Sequence, residues 1–201
     1  EAKKLLDEAG YKDTNGDGIR EDKNGKPLKI NFAAMQGGAT QEPTVQFFIQ
    51  QWKAIGLDVQ LVTGRLIEFN SFYDKIEADD PEIDAYMGAW NTGSNPDPTG
   101  FYGRHEVYNF QRFASPELDK LLANIVTLDN TDAKVRLKHY TDLSKYLVTD
   151  EAVVIPIFSY TTKSFVNNRV KKYDVSLPKE GQTPFRNSDI ELTKESPDVD
   201  K

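Results

Sequence analysis

Apolar residues along this chain switch between two periods, and the switches mark out its elements. Ala2, Leu5, Leu6 and Ala9 follow helical spacing, and Gly10 supplies a stop. From Pro27 to Met35 the pattern is that of a strand with Leu28, Ile30 and Phe32 on one face, until Gly37 and Gly38 break it. Val45, Phe48, Ile49 and Trp52 then fall at i, i+3, i+4 and i+7, which predicts a helix over 42–55 with Gly56 at its left-handed end. Leu57 to Val62 alternates again. Strand, helix and strand follow one another as in a βαβ crossover.

Leu66, Phe69, Tyr73 and Ile76 predict a helix over 66–78, closed by the acidic turn Asp79, Asp80, Pro81. Ile83 to Trp90 reads as a third strand. Asn91 to Ala114 has no period at all, and about two dozen irregular residues are unusual inside a compact domain. Ser115 followed by Pro116 is a strong helix start, with Leu118, Leu121, Leu122 and Ile125 lining one face over 116–128. Asn130 or Thr131 caps a helix over 131–149 whose face carries Ala133, Leu137, Tyr140 and Leu147. Val153 to Phe158 reads as a buried strand, an edge or crossover because Pro156 interrupts it. One more strand-like run, Ser164 to Val166, precedes a polar stretch and a charged, frayed end. The pattern predicts an α/β lobe: a mixed sheet of strands near 28–35, 57–62, 83–90 and 153–158, with flanking helices.

Composition narrows the function. The chain has 201 residues, 38% hydrophobic and 28% charged, so it can bury a substantial core. Its 32 acidic residues outnumber 25 Lys and Arg, for a net charge of −7. That balance argues against nucleic acid and anionic membrane surfaces as partners. No apolar run approaches the roughly 18 residues of a membrane span. Cysteine is absent, which removes disulfides, thiolate chemistry and Cys-based zinc sites, and two histidines, His105 and His139, cannot build a multi-histidine centre. The chain opens on Glu1 and runs straight into a helix, so it reads as a piece of something longer.

Three segments carry candidate chemistry. Asp13 to Asn24 matches a calcium loop of EF-hand type at positions 1, 3, 5 and 6, with Asp13, Asn15, Asp17 and Gly18. Ile19 would offer its carbonyl at position 7 and Glu21 its carboxylate at position 9. Asn24 stands where a bidentate Glu belongs, and consecutive Asn-Gly and Asp-Gly turns explain the same residues. The irregular stretch after the third strand mixes Trp90, Phe101, Tyr102, Tyr108, Phe110 and Phe113 with Asn91, Thr92, Asn95, Asp97, Asn109 and Arg112. Aromatic walls with a few directed amides suit a ligand cleft, and equally a packed surface loop. Gly37 and Gly38 before a helix form either an anion cradle or a plain connection, the latter favoured because no nucleotide motif surrounds them. No GxSxG, HExxH or P-loop occurs, and neither histidine has a convincing partner, so no enzyme is expected.

The order of landmarks is more specific than any one of them. EAKKLLDEAGYKDTNGDGIREDKNGKPLKINF, a helix ending WKAIGLDVQL, then IDAYMGAW, NPDPTGFY, SPELDKLL and a helix leading into EAVVIPIF resemble the extracellular solute-binding proteins of family 5. These are oligopeptide-binding components of ABC importers, and the NPDP loop is similar to that of Gram-positive members. The resemblance implies one lobe of a two-lobed, class II periplasmic-binding-protein-like fold. Residues 1–160 would be the C-terminal ligand-binding lobe, and 161–201 a closing strand and tail. It implies a receptor held outside the cell by a lipid anchor upstream, delivering oligopeptides to ABC permease subunits, with no cofactor required and calcium at the Asp13 loop as the one candidate ion. The implied ligand residues are Trp90, Asn91, Thr92, Gly93, Asn95, Asp97, Tyr102, Asn109 and Arg112. An acid a few residues after the Trp commonly holds the peptide amine. Here Gly93 and Ser94 occupy those places, and Asp97 is the nearest acid. Half a cleft supplies half the contacts, so the lobe alone is expected to bind peptides weakly. The competing reading is a calcium-dependent module that binds a protein or glycan through the Asp13 loop.

Overall fold

The computed structural model describes residues 1–90, 97–127, 131–159, 163, 165–174 and 186–192. The chain divides into two compact units, Glu1–Ile155 and Pro156–Lys201.

The first unit opens on helix α1 (Ala2–Glu8) and is built on three parallel strands, β1 (Lys29–Ala34), β2 (Asp58–Leu61) and β3 (Ala85–Met87), in the order β2-β1-β3. Ile30 pairs with Val59, and Phe32 pairs with Leu61 on one side and Ala85 on the other. The central strand is covered on both faces, as parallel sheets require. On one face Phe32, Ala34 and Val59 pack with Val45 and Ile49 of helix α2 (Gln41–Ala54). On the other, Ala33 packs with Ile67, Phe110, and Phe72 and Ile76 of helix α3 (Phe69–Glu77). The predicted α2 face is therefore the buried one, and Gly56 takes φ +96° just past its end. A Cβ there would stand 2.7 Å from Cγ of Arg20. That arginine ties the N-terminal segment down, donating to Ile55 O, Tyr11 O and Asp7.

The α/β class with flanking helices is borne out, and the differences lie at element ends. Helix α3 starts at Phe69, three residues later than expected, because the Glu68 carboxylate caps it through the Asn70 and Ser71 amides. Leu66 and Ile67 stay extended, and Ile67 bridges Met35 in parallel. Ser115 caps helix α5 (Pro116–Ile125) as the sequence predicts, accepting from Leu118 N at 3.0 Å. Helix α6 (Ala133–Lys145) is capped by Asp132 rather than Thr131; Asn130 and Leu128 lie outside the described residues. Leu118, Leu121, Leu122 and Ile125 form a third core with Leu143 and Leu147. Of the face expected for α6, Leu147 is buried in this core, within a π-turn over Tyr146–Asp150, and Tyr140 packs against it, whereas Ala133 and Leu137 are exposed.

The expected strand at 153–158 does not form. Val153 and Val154 pack against the α5–α6 core, and their amides both return to Leu147 O. Pro156 has no amide to offer a ladder. All three pairing strands of the main sheet are parallel; the antiparallel pair, β4 (Val170–Lys172) and β5 (Glu191–Leu192), belongs to the second unit. Phe165 and Val166, from the strand-like run predicted there, are exposed and join neither sheet, and Ser164 lies outside the described residues. No helix among the described residues is long and apolar enough to cross a membrane.

Candidate functional site

The strand order itself selects a location. From β1 the chain crosses through α2 to β2 on one side, and from β2 through α3 to β3 on the other. The connections diverge between β1 and β3, and open α/β sheets bind ligands beyond the carboxyl ends of their strands at such a point. Gly88 to Trp90 leaves the sheet at this edge.

Trp90 stands there at the centre of an aromatic cluster. Its ring lies 5.0 Å from Phe101, 5.3 Å from Tyr108 and 5.4 Å from Phe110, centroid to centroid, with Tyr73 at 6.4 Å. Phe110 is buried in the α3 core, while Trp90 keeps 41% of its surface exposed. The cluster thus has a fixed floor and an open face. Phe101 and Tyr102 come from a single helical turn, α4 (Thr99–Tyr102), inside the stretch the sequence left irregular. Tyrosines surround the cluster. Burial, helped by neighbouring Tyr102 and Tyr73 and opposed by Arg112, pushes the Tyr86 phenol up to about 12. Burial also raises Tyr73 and Tyr102. All three stay neutral at physiological pH and offer ring faces and hydroxyls rather than charge.

The predicted ligand residues separate into groups. Trp90 is in this cluster, whereas Tyr102, from the same turn as Phe101, packs against the α5–α6 core. Asn91, Thr92, Gly93 and Asn95 lie outside the described residues. Asp97 uses Oδ1 to accept from the Thr99 amide at 2.9 Å and its hydroxyl at 2.6 Å, fixing the entry to α4. Asn109 is buried, and its Nδ2 donates to Gly103 O and Phe113 O across the loop. Arg112 reaches back to the end of α3, donating to Asp79 Oδ1 at 2.6 Å and Glu77 O at 2.9 Å. Tyr73 and Tyr86, which loop composition could not indicate, come from α3 and β3. Their signal is spacing: Tyr73 is four residues after Phe69, and Tyr86 sits on the strand face that meets Phe72.

A cavity of about 650 Å³ opens beside the carboxyl ends of β1 and β2, lined by Gln36, Gly37, Gly38, Gln41, Glu42 and Arg65 among others. Glu42 in the first turn of α2 already complements the helix dipole, which weakens the case for an anion there.

The Asp13 loop brings the Asp13, Asp17 and Glu21 oxygens within 4.8 Å of one another. Asp13 accepts from the Gly16 and Gly18 amides, and Asp17 from the Ile19 amide and Asn15 Nδ2. Buried Glu21 accepts from Thr14 N, Thr14 Oγ1 and Asn15 Nδ2. The loop is stitched by its own donors, with Gly16 and Gly18 at φ +82° and +90°.

Fold and site together define a parallel α/β sheet flanked by helices, with a half-exposed aromatic cluster beside its strand ends. The chain belongs to the bacterial extracellular solute-binding proteins, family 5, whose middle-region model matches residues 1–109. Among curated proteins it is 36% identical over 175 residues to the oligopeptide-binding protein OppA of Lactococcus lactis subsp. lactis, covering 84% of this chain and 28% of that protein. It is 27% identical over 172 residues to the oligopeptide-binding protein AppA of Bacillus subtilis, covering 84% and 29%. The chain therefore spans under a third of the length of these relatives. Lactococcal OppA, solved with an endogenous peptide in a closed conformation, superposes with a TM-score of 0.71 at 34% identity, covering 77% of this chain and 29% of that one.

Proposed function

We propose that this chain is the C-terminal lobe of a peptide receptor that feeds an ABC importer and performs no chemistry of its own. The receptor is of the Gram-positive type, lipid-anchored outside the cell, and passes its cargo to permease subunits. The observation that carries this reading is the half-exposed Trp90 on its aromatic floor at the divergence of the sheet connections. Relatives named as oligopeptide-binding proteins support peptide as the cargo. The ligand residues this reading assigns are Trp90, Asn91, Thr92, Gly93, Asn95 and Tyr102, with Asp97 the candidate partner for the peptide amine through its carboxylate charge.

Titration calorimetry of the full-length protein with random-sequence nonapeptides tests this. Saturable heat in the micromolar range or tighter is expected, with little from this lobe alone. Silence with peptides and a response to oligosaccharides would replace the reading.

A second reading concerns stability: calcium held by Asp13, Asn15, Asp17, the Ile19 carbonyl and Glu21. The convergence of three carboxylates favours it. Carboxylate oxygens that already accept one hydrogen bond keep a lone pair for a cation. Without a bidentate ligand at Asn24 the affinity is weak, so millimolar calcium is expected to raise Tm by about 2–4 °C over chelator, on the order of 1 kcal/mol of linkage. Coincident melting curves would leave two glycine turns.

A further inference from the structure

Asp79 and Arg112 are two of the three residues other than glycine that hold positive φ among the described residues, at +53° and +50°. Side chains with a β-carbon adopt that region at a cost, so something must enforce it. The two are bonded to each other, Arg112 Nε to Asp79 Oδ1 at 2.6 Å. The rest of the guanidinium is also engaged. Nη2 donates to Glu77 O at the end of α3, and Nη1 donates to Asn109 O at 2.8 Å. Asn109 in turn grips Gly103 O and Phe113 O, and is itself 2% exposed. A single arginine thus joins the end of α3 to the loop over 103–113, bonding residues 33 and 35 positions away in sequence.

The joined pieces hold the floor of the candidate cleft. Tyr108 and Phe110 flank Asn109 and lie 5.3 and 5.4 Å from Trp90, and Tyr73 of α3 lies 6.1 Å from Phe110. An exposed ion pair alone contributes little. Here the pair closes a junction that aligns three of the rings around Trp90.

We propose that Asp79, Arg112 and Asn109 form a positioning clamp that sets the Trp90 wall of the peptide cleft without touching the peptide. It rests on the receptor reading above. The assignment differs from a direct role for Arg112, where its charge would read the peptide.

The test measures affinity for acidic, neutral and basic nonapeptide pools in the full-length protein, alongside Tm. Asp79→Gly keeps a residue that tolerates positive φ and removes both the charge and the acceptor of Arg112 Nε; Arg112→Gln removes the fork. Each is expected to weaken all three pools alike, about fivefold, as misplacement of a binding wall does. The double variant should be no weaker than either single one, because both break one junction. Arg112→Lys should not rescue, since an ammonium cannot span three acceptors in the guanidinium plane. Affinity unchanged by Asp79→Gly, with a lower Tm or not, overturns the clamp. So does an Arg112→Gln loss confined to acidic peptides, which would mean direct contact. A wild-type protein that takes no peptide overturns the receptor reading and the clamp with it, whereas wild-type binding that Asp79→Gly leaves intact overturns the clamp alone.

Discussion

Phe72→Ala is expected to remove about 3–5 kcal/mol of stability, the range for truncating a fully buried aromatic side chain. Phe72 is wholly buried between α3 and the sheet, in one cluster with Ala33, Ile67, Ile76 and Phe110. Its ring meets Tyr73 and Tyr86 edge-on, at 5.3 and 6.2 Å, so truncation loses two oriented ring contacts besides the transfer energy. The neighbours cannot refill the space. Ala33 has no side chain to swing, and Phe110 is held by the loop that Asn109 and Arg112 bind. The cavity should therefore persist, which places the cost toward the upper end. Phe72→Leu, nearer in volume, is expected to cost about 1–1.5 kcal/mol. Urea unfolding of the full-length protein, followed in the transition that carries this lobe, measures both through midpoints at constant slope. A loss under about 1 kcal/mol for the alanine variant would mean the site collapses, and that the core on this face is looser than its burial indicates.

Long-period features were legible in the sequence because burial and local propensity agree there. The α2 stripe, the α5 stripe with its Ser115 cap, Gly56 and the β1 and β2 cores all fall where periodicity puts them. Element ends were not legible where a side chain outcompetes the pattern. Glu68 caps α3 and excludes Leu66, which continues the apolar period but cannot precede its own cap. Val153 to Phe158 looks like a strand because Val and Ile are strand formers, yet nothing in composition reveals that its first amides are taken by Leu147 O. The site was half legible. A loop rich in Trp, Tyr, Phe and Asn announces itself, but which residues face a ligand depends on long-range bonds. Asn109 and Arg112 have the same composition as ligand contacts, and their polar atoms go to Gly103 O, Phe113 O, Glu77 O and Asp79. Tyr73 and Tyr86 join the cluster from elements that the loop alone could not suggest.

Trp90→Ala should weaken nonapeptide binding by about 30- to 100-fold, roughly 2–3 kcal/mol, the scale of a central aromatic anchor. The reason is the division of its surface. One side of the indole rests on Phe110, Tyr108 and Phe101 at 5.0–5.4 Å, which fixes its orientation before any ligand arrives. The other side supplies much of the 41% that remains exposed, apolar area that a bound chain can cover. A preoriented ring loses little side-chain entropy on binding, so most of the burial energy reaches the complex. Trp90→Phe keeps a ring on the same floor and should lose about fivefold or less, being smaller without being absent. Stability should change less than affinity, because the residue covers the floor rather than forming it. Asp97→Asn separates a second contribution. An amide oxygen can still accept from the Thr99 amide and hydroxyl, so α4 should hold, while the charge that would meet a peptide amine is gone. If Asp97 is the anchor, Asp97→Asn lowers affinity for free nonapeptides and leaves N-acetylated ones alone. Equal loss with both would assign Asp97 to the turn, and no loss with Trp90→Ala would move the cleft away from the edge where β3 ends.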